Sequence, residues 1–513
     1  MTINVGELLT RRAHISPDLE ATYEPMAGGR RLSYRQLNAR SNRVANGLRS
    51  LGVAQGDRVG LLLMNGSEFA EAFFAVGKIG AINVPLNWRL VPDELEFILK
   101  DAGVSVIFYS SEFAASIAEL KSRGDRTDLV HFIQLGGETA DYAASYDAFI
   151  AMASDAEPPS AGTDDDLLFI MYTSGTTGLP KGVMHSHSTV MWAMLTIAAT
   201  ADMRYKDRYL LSLPMFHVGA LTPVIGCIYK GSTLVLLKAF DPKLSWELIG
   251  SERITTTLMV PAMLQFMLAT YKPDEHDAST LRWVMSGAAP VPVTLIRAYE
   301  AMGIEIHQVY GLTESGGPAC LITADDALVR AGSTGRSFFH TDVKIADHDG
   351  IEVARDTPGE VLVRGPHIMI GYWNRPEATA DTIKDGWLYT GDIATMDSDG
   401  FVTIMDRAKD MLISGGENIY PAELENVVLG NPKVADAAII GVPSAKWGES
   451  PLAIVVKKDD SLTEAEVIEW CKGKLAPFKM IRMVRFATDI PRNPTGKILK
   501  RLLRDEYKLD APE

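Results

Sequence analysis

The amino-acid sequence predicts an α/β protein with a large N-terminal domain and a small α+β C-terminal domain. In residues 33–310, short apolar runs alternate with amphipathic helical patterns, which is typical of parallel-rich sheets flanked by helices. After Gly332 the pattern changes to short strands joined by tight turns, which predicts a β-rich subdomain. From about residue 410 the chain has its own apolar pattern, over a length that suffices for a separate domain.

Local signals predict the first elements. A helix is expected to begin after Ser33, because Gln36 completes a capping-box pattern three residues later. Gly52 is expected to end that helix. The strands that alternate with helices in this part are predicted at Val59–Met64, Ala81–Val84 and Val104–Tyr109. Residues 121–166 are more polar and are expected to form a surface connection.

A second series of strands is predicted further along the chain. Its members are Leu167–Tyr172, Leu210–Leu213, Ser232–Leu237, Thr255–Val260, Leu281–Met285 and Ile306–Val309. In open α/β sheets, ligands bind at the carboxyl ends of the strands. The loops that follow these strands are therefore where the chemistry is expected.

The C-terminal third is predicted to contain a hairpin and a small domain. The turn at residues 397–400 fits a plain hairpin better than a calcium loop, because the other EF-hand positions are missing. The later elements are predicted as strands at Val434–Val442, Leu452–Lys457 and Met483–Ala487, a capped helix at Thr463–Leu475 and a final helix from Lys497.

The bulk composition excludes several classes of protein. A chain of 513 residues is too long for one ordinary core, and 47% hydrophobic residues indicate a globular protein. The net charge of −15 argues against a nucleic-acid partner, so anionic substrates must meet local positive groups. The cysteines, Cys227, Cys320 and Cys471, are too far apart for a disulfide framework or a zinc site.

No targeting segment is visible in the sequence. The ends of the chain have no signal-peptide or lipidation pattern. The most apolar long window, Val218–Leu237, is interrupted by Pro223 and Lys230, and is predicted to be a buried helix followed by a strand. We therefore expect a cytoplasmic protein without a transmembrane segment. The oligomeric state is left open, with a homodimer as one option.

The most informative stretch follows the predicted strand Leu167–Tyr172. Residues 173–182 read TSGTTGLPKG and combine glycines, hydroxyl side chains and one lysine. Such a loop offers closely spaced backbone N–H groups, hydroxyls and a cation, which can hold a polyphosphate. It is not a Walker A loop, because no glycine directly precedes Lys181 and no Ser or Thr follows it. Taken alone, such a stretch is more often a surface loop.

Six motifs, in order along nearly the whole chain, resemble those of the acyl-adenylate-forming enzymes. This superfamily holds the acyl-CoA synthetases, the adenylation domains of peptide synthetases and the beetle luciferases. The motifs are TSGTTGLPKG at 173–182, YGLTES at 310–315, YTGDI at 389–393, DRAKD at 406–410, SGGENIYP at 414–421 and PRNPTGK at 491–497. The resemblance implies a carboxylic acid substrate, with ATP, Mg²⁺ and coenzyme A. The acid would form an acyl-adenylate, and a thiol would then displace AMP.

The resemblance implies that many residues bind the nucleotide. They are Thr173, Ser174, Gly175, Thr176, Thr177, Gly178, Gly287, Ala288, Ala289, Tyr310, Gly311, Asp392 and Arg407. Among them, the Gly/Thr loop is expected to wrap the β- and γ-phosphates. Tyr310 is expected to stack on adenine, and Asp392 to accept hydrogen bonds from the ribose hydroxyls.

Five residues are implied to act in catalysis. They are Lys181, His217, Thr313, Glu314 and Lys497. Lys181 is expected to act as a mobile cation, and Thr313 to touch the α-phosphate. Glu314 is expected to hold Mg²⁺, which prefers oxygen ligands. Lys497 is expected to stabilise the charge that builds up where carboxylate and phosphate meet.

The resemblance also implies that the C-terminal domain, residues 409–513, is mobile relative to residues 1–408. Lys409 is the expected hinge. Rotation about it would remove Lys497 and bring in Gly415 and Gly416, which would border the pantetheine tunnel. Glycine suits that position, because pantetheine must pass close to the backbone.

Many of the residues that line the acyl pocket are expected to be small or apolar. Its predicted residues are His217, Val218, Gly219, Val260, Met263 and Ser286. A medium- or long-chain fatty acid is favoured, and an aromatic acid of the cinnamate or ferulate type is the alternative. His217 is expected near the substrate carboxylate, although a packed core histidine fits its pattern nearly as well. His185 and His187 are expected on a helix surface.

Three other functions stay open at this point. A ligase that loads a separate carrier protein would share every motif. A luciferase-like oxygenase would use the same adenylation. The third is a degenerate relative without enzyme activity, which would be expected to have lost Lys181, Glu314, Asp392 or Lys497. All four residues are present in the sequence.

Overall fold

The structure, a computed structural model, describes most of the chain. The described ranges are residues 3–173, 180–289, 291–330, 332–407, 410–414, 417–444, 448–472, 474–475, 479–492 and 498–507. Within them, no helix is both long enough and apolar enough to cross a membrane.

The first part of the chain alternates between helices and strands, as predicted. The Ser33 hydroxyl accepts a hydrogen bond from the backbone N–H of Gln36, and the Gln36 side chain accepts one from the backbone N–H of Ser33, so the capping box is present. The elements are α1 (Glu7–Ile15), β1 (Glu20–Glu24), β2 (Arg30–Ser33), α2 (Tyr34–Ser50), β3 (Arg58–Leu62), α3 (Ser67–Lys78), β4 (Ile82–Pro85), α4 (Pro92–Ala102), β5 (Val104–Ser110), α5 (Ala114–Ser122), β6 (His131–Leu135), β7 (Ala144–Ser145) and α6 (Tyr146–Ala151).

The middle of the chain begins with a hairpin and then resumes the alternation. Its elements are β8 (Leu167–Thr173), β9 (Lys181–Ser186), α7 (His187–Thr200), β10 (Arg208–Leu211), α8 (Val218–Lys230), β11 (Thr233–Leu236), α9 (Pro242–Ser251), β12 (Thr256–Leu258), α10 (Pro261–Thr270), β13 (Trp283–Ser286), α11 (Val293–Glu300), β14 (Glu305–Tyr310), β15 (Cys320–Leu321), α12 (Ala324–Ala327) and β16 (Arg336–Ser337). The apolar window Val218–Leu237 is a helix followed by a strand, as predicted.

The last part is richer in strands. Its elements are β17 (Asp342–Ala346), β18 (Gly359–Arg364), β19 (Gly371–Tyr372), α13 (Pro376–Thr382), β20 (Ile383–Lys384), β21 (Trp387–Met396), β22 (Val402–Arg407), β23 (Leu412–Ser414), β24 (Glu417–Ile419), α14 (Pro421–Leu429), β25 (Val434–Ser444), β26 (Gly448–Lys457), α15 (Glu464–Cys471), β27 (Met483–Ala487) and α16 (Lys500–Glu506). The turn at residues 397–400 joins β21 to β22 as a hairpin, as predicted.

Two large sheets dominate the N-terminal domain. One has the order β19-β9-β8-β4-β3-β5-β6-β7, and the other has the order β16-β15-β14-β13-β12-β10-β11-β1-β2. The central strands of both pair in parallel, while the antiparallel pairs lie towards the edges. The parallel-rich α/β class is therefore confirmed.

Helices α2, α3 and α8 fill the space between the two sheets. Their apolar side chains form one core with residues of both sheets, such as Leu61 on β3 and Leu211 on β10. Asn65 reinforces this contact, because its side chain bonds the carbonyls of Leu213 and Leu237 and the N–H of Met215. The carboxyl ends of β3, β10 and β11 are thus held together.

Residues 121–166 differ from the surface connection that the sequence predicted. Strands β6 and β7 and helix α6 lie in this segment, and Phe132, Ile133 and Tyr146 are buried. The Tyr146 hydroxyl donates to the fully buried carboxylate of Glu71, 2.5 Å away. The apolar runs here are short and flanked by polar residues, so the periodic signal was too weak to predict them.

The two smaller sheets correspond to the β-rich subdomain and the C-terminal domain. The first contains β17, β18, β20, β21 and β22, and the second contains β23 to β27. The second sheet has its own core with α14 and α15. Helix α15 ends at Cys471, earlier than predicted, and α16 begins at Lys500. The predicted boundary between residues 408 and 409 lies outside the described residues and stays a prediction.

Candidate functional site

The Gly/Thr loop connects two antiparallel strands. Thr173 at the end of β8 pairs with Lys181 at the start of β9. Ser174, Gly175, Thr176, Thr177 and Gly178 lie outside the described residues. The two ends of the loop are nevertheless fixed, and Lys181 stands at the mouth of this hairpin.

Lys181 and Glu314 meet at a residue that the sequence did not single out, Tyr372. The Lys181 ammonium lies 5.0 Å from the centroid of the Tyr372 ring. The Tyr372 hydroxyl donates a 2.9 Å hydrogen bond to Oε1 of Glu314. Tyr372 is on β19, which pairs with β9. A lone tyrosine after a glycine gives no sequence signal, so only the sheet pairing reveals it.

Thr313 and Glu314 lie in a short 3₁₀ turn, Thr313–Ser315, which begins three residues after the last residue of β14, Tyr310. The side chains of Thr313 and Glu314 are half-buried, and Ser315 at the end of the turn is buried. The N–H groups of Ser315 and Gly317 donate to the carbonyl of Leu312. The turn therefore presents the two predicted catalytic side chains on a rigid backbone.

The prediction that His185 and His187 lie on a helix surface is wrong. Both side chains are fully buried. His185 is on β9, and its Nε2 lies 2.8 Å from the carbonyl oxygen of Thr313. His187 begins α7, and its Nδ1 accepts a hydrogen bond from the N–H of Val5. Strand β9 therefore contains His185, while His187 does begin a helix but faces the core.

The residues predicted for adenine and ribose contact each other. The Tyr310 hydroxyl donates a 2.7 Å hydrogen bond to Oδ2 of Asp392. Asp392 is buried, and its backbone pairs with that of Arg407 across β21 and β22. Burial, together with the nearby Asp392 carboxylate, holds the pKa of Tyr310 well above its usual range. Tyr310 is therefore a hydrogen-bond donor at every physiological pH.

At the ends of two strands stand glycines that no residue with a Cβ atom could replace without a steric clash. A Cβ atom on Gly311 would lie 1.5 Å from the carbonyl oxygen of Gly317, and one on Gly287 would lie 2.4 Å from that of Val309. Ala288 has a φ of +68°, which is rare for a residue with a side chain. Ala289 follows it. Since β13 and β14 pair in parallel, these positions line one edge of the sheet.

His217 lies where β10 gives way to α8. It precedes the first residue of α8, and its ring packs 4.3 Å from that of Phe216, centroid to centroid. Its Nε2 is buried and has no hydrogen-bond partner within the described part of the chain. Burial, helped by the charge of Arg89, lowers the pKa of His217 to about 4. The ring is therefore neutral at pH 7 and has a free nitrogen for a ligand.

The other predicted pocket residues surround the same edge of the sheet. Val218 and Gly219 open α8, while Val260 and Met263 flank the start of α10 and are nearly fully buried. Ser286 ends β13, and its buried hydroxyl has no partner among the described residues. Sequence reasoning missed two further buried polar groups of this kind, the Ser212 hydroxyl after β10 and Nε2 of Gln308 on β14.

Several predicted residues lie outside the described ranges. They are Lys409, Gly415, Gly416 and Lys497, in addition to the loop residues 174–178. Helix α16 begins three residues after Lys497. Its Lys500 forms an ion pair with Glu425, 2.9 Å away, and lies 3.9 Å from Asp406.

The described groups supply cationic, anionic and neutral hydrogen-bonding parts. Lys181 and Glu314 both contact Tyr372, Tyr310 bonds Asp392, and the buried ring of His217 packs against Phe216. Groups of these kinds can bind a nucleotide and a carboxylic acid, which suits phosphoryl or adenylyl transfer.

Comparison with protein families gives two matches. The family described as "AMP-binding enzyme" matches residues 9–373, and the family described as "AMP-binding enzyme C-terminal domain" matches residues 423–497. The first match includes Lys181, His217, Tyr310 and Glu314, and the second includes most of the C-terminal sheet, while Asp392 lies between the two matched ranges.

Individual relatives match along almost their whole length. The long-chain-fatty-acid–CoA ligase FadD13 of Mycobacterium tuberculosis is 44% identical, over 99% of this chain and 100% of the relative. A feruloyl-CoA synthase of Amycolatopsis sp. is 39% identical, over 98% and 99%. Among solved structures, a Mycobacterium tuberculosis fatty acyl CoA synthetase superposes with a TM-score of 0.81 at 44% identity, covering 99% of both chains.

Proposed function

The chain belongs to the AMP-binding enzyme family and is an AMP-forming acid–CoA ligase, and from this premise we propose that it activates a medium- or long-chain fatty acid. The carboxylate of the acid attacks the α-phosphorus of ATP, which gives the acyl-adenylate and releases pyrophosphate. The thiol of coenzyme A then attacks the acyl carbonyl, a thioester forms, and AMP leaves.

The observation that carries the adenylation step is the convergence of Lys181 and Glu314 on Tyr372. A carboxylate is already a nucleophile at neutral pH, so the step needs neutralised phosphate charge and an in-line approach. Lys181 supplies a cation at the mouth of the Gly/Thr loop. Glu314, held by the Tyr372 hydroxyl, supplies an anionic oxygen a few residues from Thr313.

The surroundings of Glu314 fit a Mg²⁺ ion. Magnesium in phosphate sites is usually bound by one or two protein carboxylates together with phosphate oxygens and water. Glu314 offers such a carboxylate, and the hydrogen bond from Tyr372 fixes its orientation. When bound, the ion would neutralise charge on the phosphate oxygens.

The remaining predicted roles are kept as part of the proposal. Tyr310 and Asp392 hold the nucleoside, His217 faces the carboxylate of the acid, and Lys497 enters from the C-terminal domain for the adenylation step only. The residues assigned to the domain rotation and the pantetheine tunnel are Lys409, Gly415 and Gly416.

The choice of a fatty acid is supported by the pocket residues. Val260 and Met263 are apolar and buried. A Cβ atom on Gly219 would have its nearest neighbour, Cδ1 of Leu213, only at 4.0 Å, so the start of α8 leaves space beside the pocket. An apolar tail fits such surroundings. FadD13, whose name states a long-chain fatty acid, shares 44% of its residues with the chain.

A specific observation favours an aromatic acid as the second candidate. The hydroxyl of Ser286 is fully buried and has no partner among the described residues. Buried polar groups are almost always hydrogen-bonded, and a hydroxylated aromatic ring would supply the partner. The feruloyl-CoA synthase, at 39% identity, is named for such an acid.

A screen of acid-dependent pyrophosphate release tests the proposal. Saturated fatty acids from short to long chains and hydroxycinnamic acids are compared, each with and without coenzyme A, and acyl-CoA is quantified by mass spectrometry. We expect the highest kcat/KM with a medium or long chain. A maximum with a hydroxycinnamic acid selects the second candidate. Pyrophosphate release without acyl-CoA formation contradicts the use of coenzyme A and indicates a carrier protein as acceptor.

A further inference from the structure

Every carbonyl of the Thr313–Ser315 turn is bound from outside the turn. The Glu314 carbonyl accepts a 2.8 Å hydrogen bond from the N–H of Met369. The carbonyls of Thr313 and Ser315 face two imidazoles instead. Nε2 of His185 lies 2.8 Å from the first, and Nδ1 of His367 lies 2.8 Å from the second.

The second nitrogen of each imidazole also has a hydrogen-bonding partner. Nδ1 of His185 lies 3.1 Å from the Thr189 hydroxyl, and Nε2 of His367 lies 2.7 Å from the Thr341 hydroxyl. Both histidines are fully buried. A carbonyl can only accept, so the nitrogen facing it carries the proton in each ring. Burial also lowers the pKa of both side chains, to about 4 for His185, which keeps the rings neutral.

The two histidines belong to the segments that carry Lys181 and Tyr372. His185 is on β9, four residues after Lys181, so its ring joins the hairpin of the Gly/Thr loop to the turn of Thr313. His367 lies between β18 and β19, five residues before Tyr372. The turn is therefore held between the strand of Lys181 and the segment leading to Tyr372.

We call the two contacts, His185 with the Thr313 carbonyl and His367 with the Ser315 carbonyl, the clamps, and both histidines lie close to the residue that follows the turn. Gly316 follows the turn with a φ of +66°. A Cβ atom there would lie 3.3 Å from Cε1 of His185 and 3.2 Å from the carbonyl oxygen of His367. A residue with a side chain would therefore be crowded and strained at this position, and moving the turn away from either histidine would break a hydrogen bond.

We infer that His185 and His367 are positioning residues for adenylation, which act by fixing the turn that presents Thr313 and Glu314. This inference rests on the roles proposed above for Thr313 and Glu314. Displacing a reacting group by about 1 Å can cost on the order of 10²-fold in rate. The clamps remove that freedom from the turn, and both ring nitrogens of each imidazole are taken up by protein groups.

Paired substitutions separate positioning from plain structural support. His185→Leu removes the donor, whereas His185→Gln places an amide N–H near the position of Nε2. At the other clamp, His367→Leu removes the donor and His367→Asn retains one near Nδ1. The matched control is His187→Leu, since His187 is equally buried, lies two residues from His185 and bonds the distant N–H of Val5.

Four quantities are measured for each variant: the melting temperature, the KM for MgATP, the rate of pyrophosphate formation, and the rate of thioester formation from preformed acyl-adenylate. We expect His185→Leu and His367→Leu to lower pyrophosphate formation by about 10- to 100-fold relative to His187→Leu. Thioester formation should stay close to that of the control, and the Gln and Asn variants should recover most of the loss. Equal loss of both half-reactions, or no recovery in well-folded Gln and Asn variants, overturns the inference.

Two further measurements keep the test decisive. If the leucine variants do not fold, Thr189→Val and Thr341→Val remove the hydroxyl that orients each ring, and the same split between half-reactions is expected. If the wild-type protein releases no pyrophosphate with any acid, the proposed function fails. The affinity for MgATP, measured by calorimetry, then tests the clamps independently. The Gln and Asn variants should bind MgATP more tightly than the leucine variants. Equal affinity overturns the inference.

Discussion

The hydroxyl of Tyr310 and the carboxylate of Asp392 form a 2.7 Å hydrogen bond between two different sheets. Tyr310 ends β14 in the larger sheet of the N-terminal domain, and Asp392 lies on β21 in the β-rich subdomain. The residue proposed to stack on adenine thus holds the residue proposed to bind the ribose, so the proposed nucleoside site is shared by the larger sheet and the β-rich subdomain.

Tyr310→Phe should weaken nucleotide binding and keep the ring for stacking. A hydrogen bond to a charged group contributes about 1.5–3 kcal/mol, so we expect the KM for ATP to rise by about 10-fold or more. The control is Tyr299→Phe, which also removes a buried hydroxyl, one that donates to the Leu264 carbonyl and joins α11 to α10. ATP-dependent pyrophosphate exchange reports the KM. An equal KM in both variants contradicts the assigned role.

Glu314→Gln should remove most of the Mg²⁺-dependent adenylation, because an amide oxygen binds the ion far less strongly than a carboxylate. Tyr372→Phe should have a smaller effect of the same kind, raising the Mg²⁺ concentration needed for half-maximal rate. Pyrophosphate release is titrated with MgCl₂. The exposed Glu377, on α13, gives the control Glu377→Gln. A wild-type Mg²⁺ titration for Glu314→Gln would mean that the metal ligand is misassigned.

Gly311→Ala and Gly219→Ala should behave differently although the chemical change is the same. A Cβ atom on Gly311 meets the Gly317 carbonyl at 1.5 Å, so the strand end must distort, and activity and thermal stability should both fall. On Gly219 the nearest atom is 4.0 Å away, so the fold should be unaffected. The added methyl group should shift the preferred fatty acid towards shorter chains. An unchanged chain-length profile would remove Gly219 from the pocket.

Lys497→Ala should abolish pyrophosphate release and leave thioester formation from preformed acyl-adenylate largely intact. The proposed rotation removes this lysine before the second step, so only the first should need it. Lys472→Ala, an exposed lysine of the same domain paired with Glu469, is the control and should affect neither step. Equal loss of both half-reactions in Lys497→Ala would contradict the two-conformation scheme.

Acid should destabilise the protein through its buried histidines. Burial lowers the pKa of His185, His187 and His217 to about 4 in the folded chain, whereas an exposed histidine titrates near 6.5. Between pH 4 and pH 6.5 the unfolded chain binds more protons than the folded chain does. The contribution of these neutral histidines to the stability is therefore fully present above pH 6.5 and is lost as the pH falls towards 4.

Thermal melts at pH 7 and pH 5 measure this effect. His187→Gln should reduce the drop in melting temperature between the two pH values, because one acid-sensitive group is removed. The exposed His348 provides the control, and His348→Gln should leave the drop unchanged. The same drop in all three proteins would show that the buried histidines do not cause the acid sensitivity.

Features that depend on residues close together in the chain could be predicted from the sequence. The capping box at Ser33 and Gln36 depends on residues three apart, and the turn at residues 397–400 depends on its own composition, so both were predicted and both are present. The order of the motifs also predicted the family and the reaction type, because the residues of each motif are neighbours in the chain.

Tertiary structure alone decided how distant segments meet. Tyr372 and His367 stand beside the Thr313–Glu314 turn because β19 pairs with β9, a pairing between residues almost two hundred positions apart. His185 likewise contacts the Thr313 carbonyl although the two residues are 128 positions apart. The sequence by itself determined which chemical groups the protein has and which reaction they suit, since these depend on short motifs. The contacts that orient those groups depend on sheet pairing and burial, which no local pattern encodes.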